Sequence, residues 1–238
     1  MASEWNRDIV REWGYEPYLI YQAVDTAIFN PLACKRRRAP CSDSRLRVFS
    51  GGKAEYRKGQ DIVLSAFALF SQHHRDAVLV TAWDSPWPEL AQSFAESPLG
   101  VPPGGNLGIP NFHAWAQRAG VATNQFVSVP PTPNSRMIDI LSDIDVAIFP
   151  NRAEGGTNQV AMECIACGIP TIISPTTGHA TLVNTTDVRW ADGAEAFAEA
   201  LCHAERGRLP GCDLPVCFTW PARVESLSAL LLDLCKHD

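Results

Sequence analysis

No run of apolar residues in this 238-residue chain approaches the ~20 needed to span a bilayer. The longest, such as Val78 to Trp83, are far shorter. The opening residues, MASEWNRD, are charged and contain no apolar core of an export signal. Basic charge is scarce too: 20 Lys and Arg face 26 Asp and Glu, a net charge of −6. That balance argues against non-specific binding to DNA, RNA or anionic lipid, although a local basic pocket still suits a phosphate. The 8 cysteines are too dilute for a disulfide scaffold in a chain this long. Without an export signal they are expected to be reduced thiols in a cytoplasmic protein. Cys164 and Cys167 form the spacing CxxC, but no second pair completes a zinc site. They lie in the apolar stretch Val160 to Gly168, which reads as a packed helix with buried thiols. There is no GxGxxG and no Walker loop, which removes the sequence basis for a dinucleotide-dependent dehydrogenase.

What is present is the composition of a soluble globular protein, 46% hydrophobic and 19% charged. The length allows one or two domains. Short strand-like runs alternate with helical spacing. Leu46 to Ser50, Ala77 to Trp83, Gln125 to Val129, Asp145 to Phe149, Pro170 to Ser174 and Val188 to Trp190 read as strands. Asp61 to Ser71, Glu89 to Ala95, Asn111 to Ala119, Ser135 to Ser142, Thr157 to Cys167, His179 to Val183, Ala194 to Glu205 and Pro221 to Cys235 read as helices. Asn134 is a candidate N-cap and Gly168 a C-terminal stop. The alternation implies an α/β fold, a Rossmann-like parallel sheet with helices on both faces. The basic run Lys35 to Arg38 reads as a solvated linker.

Ligands of such sheets bind at the carboxyl ends of the strands. Three loops there carry candidate chemistry. In the first, Gly51 and Gly52 let a ligand approach the backbone, and Lys53, Arg57 and Lys58 follow. A polar turn with a solvated basic face would look the same. In the second, Arg152 to Asn158 open a helix whose N-terminus offers N–H groups and partial positive charge to a phosphate. Glu163 then sits between Met162 and Cys164, where a carboxylate needs hydrogen-bond donors. Ribose hydroxyls would serve, as would a buried Arg. In the third, Thr176, Thr177, Gly178 and His179 bring hydroxyls that suit a sugar or phosphate, or form a plain turn.

Four segments resemble the retaining glycosyltransferases of family 4, often called group 1, which have the B-type fold. Tyr21 to Pro31 is similar to the interdomain pattern NGVDxxxFxP. Gly52-Lys53 with Lys58 to Asp61 is similar to GR…KGxD. Glu154 to Pro170 is similar to EGFGxxxLEAMAxGxP, and Thr177-Gly178-His179 stands at the Gly-Gly turn near the donor sugar. The resemblance spans roughly residues 5 to 235. It implies one half of that fold: residues 1-45 as interdomain crossover and linker, and 46-238 as the nucleotide-sugar-binding domain with a helical tail.

The resemblance further implies roles. Lys53 and Lys58 would hold the donor diphosphate, with Lys53 in place of the usual Arg. Glu154 would lie near the donor sugar, although one extra residue separates it from Glu163 and Gly155 takes the aligned position. These three would be the catalytic groups. Gly52, Gly155, Gly156, Thr157, Asn158, Glu163, Thr177, Gly178 and His179 would bind the donor, Glu163 through the ribose and residues 156–158 through backbone N–H groups. Base contact would come from Pro130 to Pro133. The matched motifs require no metal, so no metal or cofactor is expected beyond a nucleoside diphosphate sugar as substrate. The implied function is hexosyl transfer to an unknown acceptor with retention, this chain supplying the donor half. The alternative is a non-catalytic nucleotide-sugar-binding module or a subunit that needs a partner. That partner would be a separate N-terminal acceptor-domain chain or a second copy of this one.

Overall fold

The strand-like runs assemble into one sheet. The structure, a computed structural model, describes residues 1–37, 45–104, 108–185, 189–205, 207, 209, 211 and 213–236. The strands are β1 (Arg47–Gly51), β2 (Val78–Ala82), β3 (Phe126–Ser128), β4 (Val146–Phe149), β5 (Thr171–Ile173) and β6 (Arg189–Trp190). All pair in parallel, in the order β3-β2-β1-β4-β5-β6. The chain builds one way from β1 and then the other way from β4. The connections after these two strands therefore diverge, and a crevice opens between their carboxyl ends.

Successive side chains of a strand point to opposite faces. Phe49, Val80, Ala147, Phe149 and Ile173 enter one apolar core. Val48, Leu79, Val146, Ile148 and Ile172 enter the other. Runs apolar at every position are thus what a sheet covered on both sides requires. The helices in chain order are α1 (Glu4–Glu12), α2 (Pro31–Arg37), α3 (Gln60–Ser71), α4 (Phe112–Arg118), α5 (Met137–Leu141), α6 (Gln159–Ala166), α7 (His179–Thr185), α8 (Gly193–Glu205) and α9 (Trp220–Leu234). Phe67 of α3, Trp115 of α4 and Phe197 of α8 fill the core on one side. Cys34 of α2, Leu141 of α5, Ile165 of α6 and Leu182 of α7 fill the other. Cys164 and Cys167 are buried there as small apolar groups.

Several elements differ from the sequence reading. Residues 1–37 hold two helices, α1 and α2, within the stretch expected as crossover and linker. Ser3 caps α1, its hydroxyl accepting from the Asn6 N–H at 3.2 Å. No residue of α1 is buried and the segment, EWNRDIVRE, is polar on average, so a helix was not expected. Lys35 to Arg37 lie in α2 rather than in a linker, and Arg38 falls outside the described residues. Asn134 does not cap α5: it opens a 3-10 turn, and its side chain turns to Glu163 instead. The helix expected at Glu89 to Ala95 is a 3-10 stretch over Pro88–Glu96. β6 begins at Arg189, and Val188 lies outside the described residues.

Gly59 shows how tightly the β1 loop is set. Its φ is +73°, and a Cβ there would lie 2.0 Å from the Pro150 carbonyl oxygen. Gly59→Ala is expected to destabilise the fold by ~2 kcal/mol or more, through left-handed strain plus a clash with backbone. Urea unfolding, with the midpoint as readout, checks this.

Candidate functional site

The crevice between β1 and β4 continues into a cleft of about 230 Å³, reached by Gly52, Lys53, Asp84, Pro131, Asn134 and Glu163, among others. Gly52 takes a φ of +109° just after β1, with open space where a Cβ would stand. The chain can turn there and leave its backbone open to a ligand. Lys53 has its ammonium 4.9 Å from the Trp87 ring centroid. Glu163 projects from α6 and is only 2% exposed. Its Oε1 accepts from the Asn134 amide at 2.8 Å, while its Oε2 has no hydrogen-bond partner. Burial pushes its carboxyl pKa up, and the Asn134 amide opposes that shift.

Glu154 lies beside this cleft in a different state. Its carboxylate is ion-paired with Lys58, accepts from Asn151 and meets the Arg57 guanidinium at 2.9 Å. Burial pushes the Lys58 ammonium pKa down, and the Glu154 charge works against it. Lys58 thus does not reach the cleft with Lys53, as expected from the sequence, but is turned inward to Glu154. The cause is plain: a carboxylate 6% exposed is too costly without cations. A second pair fixes the same junction. Arg152 grips Asp61 with two bonds, 2.8 and 2.7 Å, and lies 3.9 Å from the Tyr56 ring.

The third loop supports the second from behind. The Thr177 hydroxyl accepts from the Glu154 N–H at 2.6 Å, and Thr177 holds a φ of +49° to do so. Gly178 donates its N–H to the Glu154 carbonyl at 2.8 Å. A Cβ on Gly178 would lie 1.6 Å from the Gly156 oxygen, so only glycine fits. The His179 ring is fully buried, with Nδ1 at 3.2 Å from the Ser174 carbonyl. That carbonyl can only accept, so Nδ1 carries the proton and Nε2 keeps a lone pair that meets no donor. Thr177, Gly178 and His179 therefore shape the loop and do not line the cleft.

Several N–H groups at the start of α6 already have partners within the chain, that of Thr157 among the three expected to meet the diphosphate. Asn158 caps the helix, its side chain accepting from the N–H groups of Val160 at 3.0 Å and Ala161 at 3.4 Å. Thr157 gives its N–H to Gln22 Oε1 at 2.8 Å, and its hydroxyl lies 3.1 Å from the same oxygen. Ser3 donates to the Gly155 carbonyl at 2.7 Å, and a Cβ on Gly156 would meet Gln22 at 2.6 Å. Residues 1–22 thus lie over the turn expected to cradle phosphate.

Sequence reasoning missed Asn134, Asn151, Gln22 and the Arg152–Asp61 pair. All but Asn151, three positions from Glu154, act across a long separation, and a single sequence carries no signal of such contacts. Arg57 stood in the basic cluster but was given no role.

With this geometry in view, the comparisons fall into place. The family model of the group 1 glycosyl transferases matches residues 45–205, and the chain belongs to that family. No curated protein matches in sequence. Among solved structures, sucrose-phosphate synthase from Thermosynechococcus elongatus superposes with a TM-score of 0.74 at 19% identity, covering 100% of this chain and 58% of that one. Anabaena HepE, solved with UDP, gives 0.68 at 13% identity, with coverages of 96% and 61%. The pneumococcal O-GlcNAc transferase GtfA, solved with UDP and GlcNAc, gives 0.65 at 12%, with coverages of 100% and 45%. The shared fold is the B-type glycosyltransferase fold, and this chain spans about half the length of those structures. Among the described residues, no helix is long and apolar enough to cross a membrane.

Burial holds the His179 pKa down at about 4, with Lys58 adding to that shift and Glu154 opposing it. The unfolded chain, with an ordinary imidazole pKa near ~6.5, binds the proton more readily. Stability from this group is therefore complete above about pH 6.5 and lost as pH falls toward about 4. The loss amounts to ~3 kcal/mol. His179→Gln is expected to flatten stability against pH in this window, measured by urea unfolding at pH 4.5 and 7.5.

Proposed function

We propose that the chain binds the nucleotide of a nucleoside diphosphate sugar and supplies the donor half of a retaining glycosyltransferase. The observation that carries this is Glu163: a buried carboxylate on a cleft with one oxygen lacking any partner. Two adjacent ribose hydroxyls would donate to it, and the Asn134 amide already orients it. The diphosphate would then lie toward Gly52 and Lys53. There the ammonium would stabilise charge developing on the departing phosphate. In the reaction the bond from the anomeric carbon to the phosphate oxygen breaks. The acceptor oxygen bonds that carbon, and the acceptor proton leaves with the diphosphate. Glu154 and Lys58 act beside this site as a neutralised pair that a diphosphate would have to share. Supply of the acceptor falls to protein outside this half, and the setting is proposed to be cytoplasmic.

A second reading, a binding subunit completed by a partner, has one specific support. On α9, Trp220, Val224, Leu227, Leu231 and Leu234 recur at alternating steps of four and three. All five are exposed. That spacing makes one apolar seam suited to another protein surface. The partner would be an acceptor-binding chain or a second copy.

Glu163→Ala is expected to weaken binding of nucleoside diphosphates at least about tenfold, close to 1.4 kcal/mol. Lys53→Ala should weaken diphosphates but leave the nucleosides alone. Calorimetry with UDP, GDP, ADP and the free nucleosides tests both, and unchanged affinity in Glu163→Ala would remove the site assignment.

A further inference from the structure

Beside the nucleotide cleft lies a second cavity of about 220 Å³ that the donor reading does not use. Its walls include Trp83, Trp87, Phe112, Pro88, Pro110 and Pro131. Asp84 and Pro131 line both cavities, so they form the ridge where the two meet. Asp84 follows β2 at the carboxyl end of the sheet, on the side of the ligand crevice. Its carboxylate makes no hydrogen bond or ion pair among the described residues. Burial pushes its pKa up, with no neighbouring charge to offset the cost. A carboxylate left in this way at an apolar rim is a group awaiting donors.

The cavity is smaller than the ~300–1,000 Å³ of sites for drug-sized ligands, so it suits a single ring system. Trp83 and Phe112 close the cavity from the buried core, and Trp87, 52% exposed, is the aromatic face on which a flat ring can stack. The route into it is set by the cleft. A nucleoside whose ribose meets Glu163 occupies the same cleft that reaches Pro131 and Asp84. A base passing over that ridge would take the Trp87 face on which the Lys53 ammonium now rests, 4.9 Å from the ring centroid, with Lys53 turning to the diphosphate.

The chemistry of Asp84 then discriminates among bases. An ionised carboxylate only accepts hydrogen bonds. Guanine offers two adjacent donors, the ring N1–H and the 2-amino group, one for each oxygen. Uracil offers one N–H flanked by two carbonyl oxygens, which a carboxylate repels. Adenine and cytosine place a ring lone pair beside their amino group. We propose that Asp84 selects guanine and that the cavity beside Trp87 seats this base, which makes the donor a guanosine diphosphate sugar. This rests on the donor reading given above.

Calorimetry on the whole chain tests it with GDP, inosine diphosphate, UDP and ADP. GDP should bind at least tenfold more tightly than UDP and ADP. Inosine diphosphate, which keeps N1–H but lacks the 2-amino group, should fall between. Asp84→Asn preserves size and presents one donor and one acceptor. It should lose at least tenfold in GDP affinity, keep its unfolding midpoint, and now favour bases that set a carbonyl beside an N–H: xanthosine diphosphate, whose 2-carbonyl accepts where guanine donates, and UDP. Equal affinity of the wild-type protein for GDP and UDP overturns the inference. So does a tighter hold on ADP, or an Asp84→Asn variant weakened equally toward every nucleotide. In each of those cases a Glu163→Ala variant that loses all nucleotides keeps the donor reading intact. A wild-type chain that binds no nucleotide overturns both.

Discussion

The carboxyl end of the sheet is organised around one buried charge, the carboxylate of Glu154. Left alone there it would cost several kcal/mol, so every nearby element supplies a partner. Arg57 and Lys58 come from the turn after β1, and Asn151 from the turn after β4. Thr177 and Gly178, after β5, hold its backbone. Three loops that are far apart in sequence are thereby fixed against each other. The cleft next to them inherits its shape from that arrangement. The glycines follow from the same demand: at Gly59 and Gly178 a Cβ would strike backbone oxygen at 2.0 and 1.6 Å. Loops brought this close leave no room for side chains.

The N-terminal segment belongs to this construction as well. Gln22 and Ser3 bond to Thr157 and Gly155, and Gln159 donates to the Ala23 carbonyl at 3.1 Å. On its far side the segment meets the start of α9, where the Val24 N–H donates to the Phe218 carbonyl at 2.8 Å. Tyr21 packs edge-on against Phe218 at 5.0 Å between centroids. The segment therefore links the turn that opens α6 to the helix carrying the exposed apolar seam. A protein surface covering that seam would lie one short strand of chain away from the turn beside Glu154. Binding at the seam and order at the site share a physical connection through Val24 and Gln22.

How much of this the sequence disclosed depends on the range of each interaction. The sheet was legible because strands covered on both faces must be apolar throughout, as in Val78 to Val80 and Val146 to Phe149. The end of α6 was legible because Gly168 can hold a φ of +74°. Glu163 was legible because a carboxylate between Met162 and Cys164 violates the local pattern and asks for a reason. Its partner was not: Asn134 lies 29 positions away and looked like a helix cap. The link from Gln22 to Thr157 spans 135 positions, so the Thr157 N–H looked available when it is not. Helix α1 escaped because it buries no residue and is polar on average. Local rules located the elements and the one discordant side chain, while the pairings that decide availability required the fold.

Those pairings also change the meaning of the charge balance. A net charge of −6 with a few clustered cations suggested that several of them wait for a phosphate. In the structure Arg57 is already paired with Glu55 and Glu154, Lys58 with Glu154, and Arg152 with Asp61. Lys53 reaches the cleft with no carboxylate partner among the described residues and rests on the Trp87 ring. A diphosphate entering there meets one mobile ammonium and the open backbone at Gly52. To gain more it must draw Arg57 and Lys58 from Glu154, which would then need a substitute for both. Part of the positive charge near the cleft is thus bound to an internal anion, and a phosphate drawing on it would exchange one anion for another. The cations would keep a counter-charge through that exchange, and its cost would fall on the buried Glu154 carboxylate left behind.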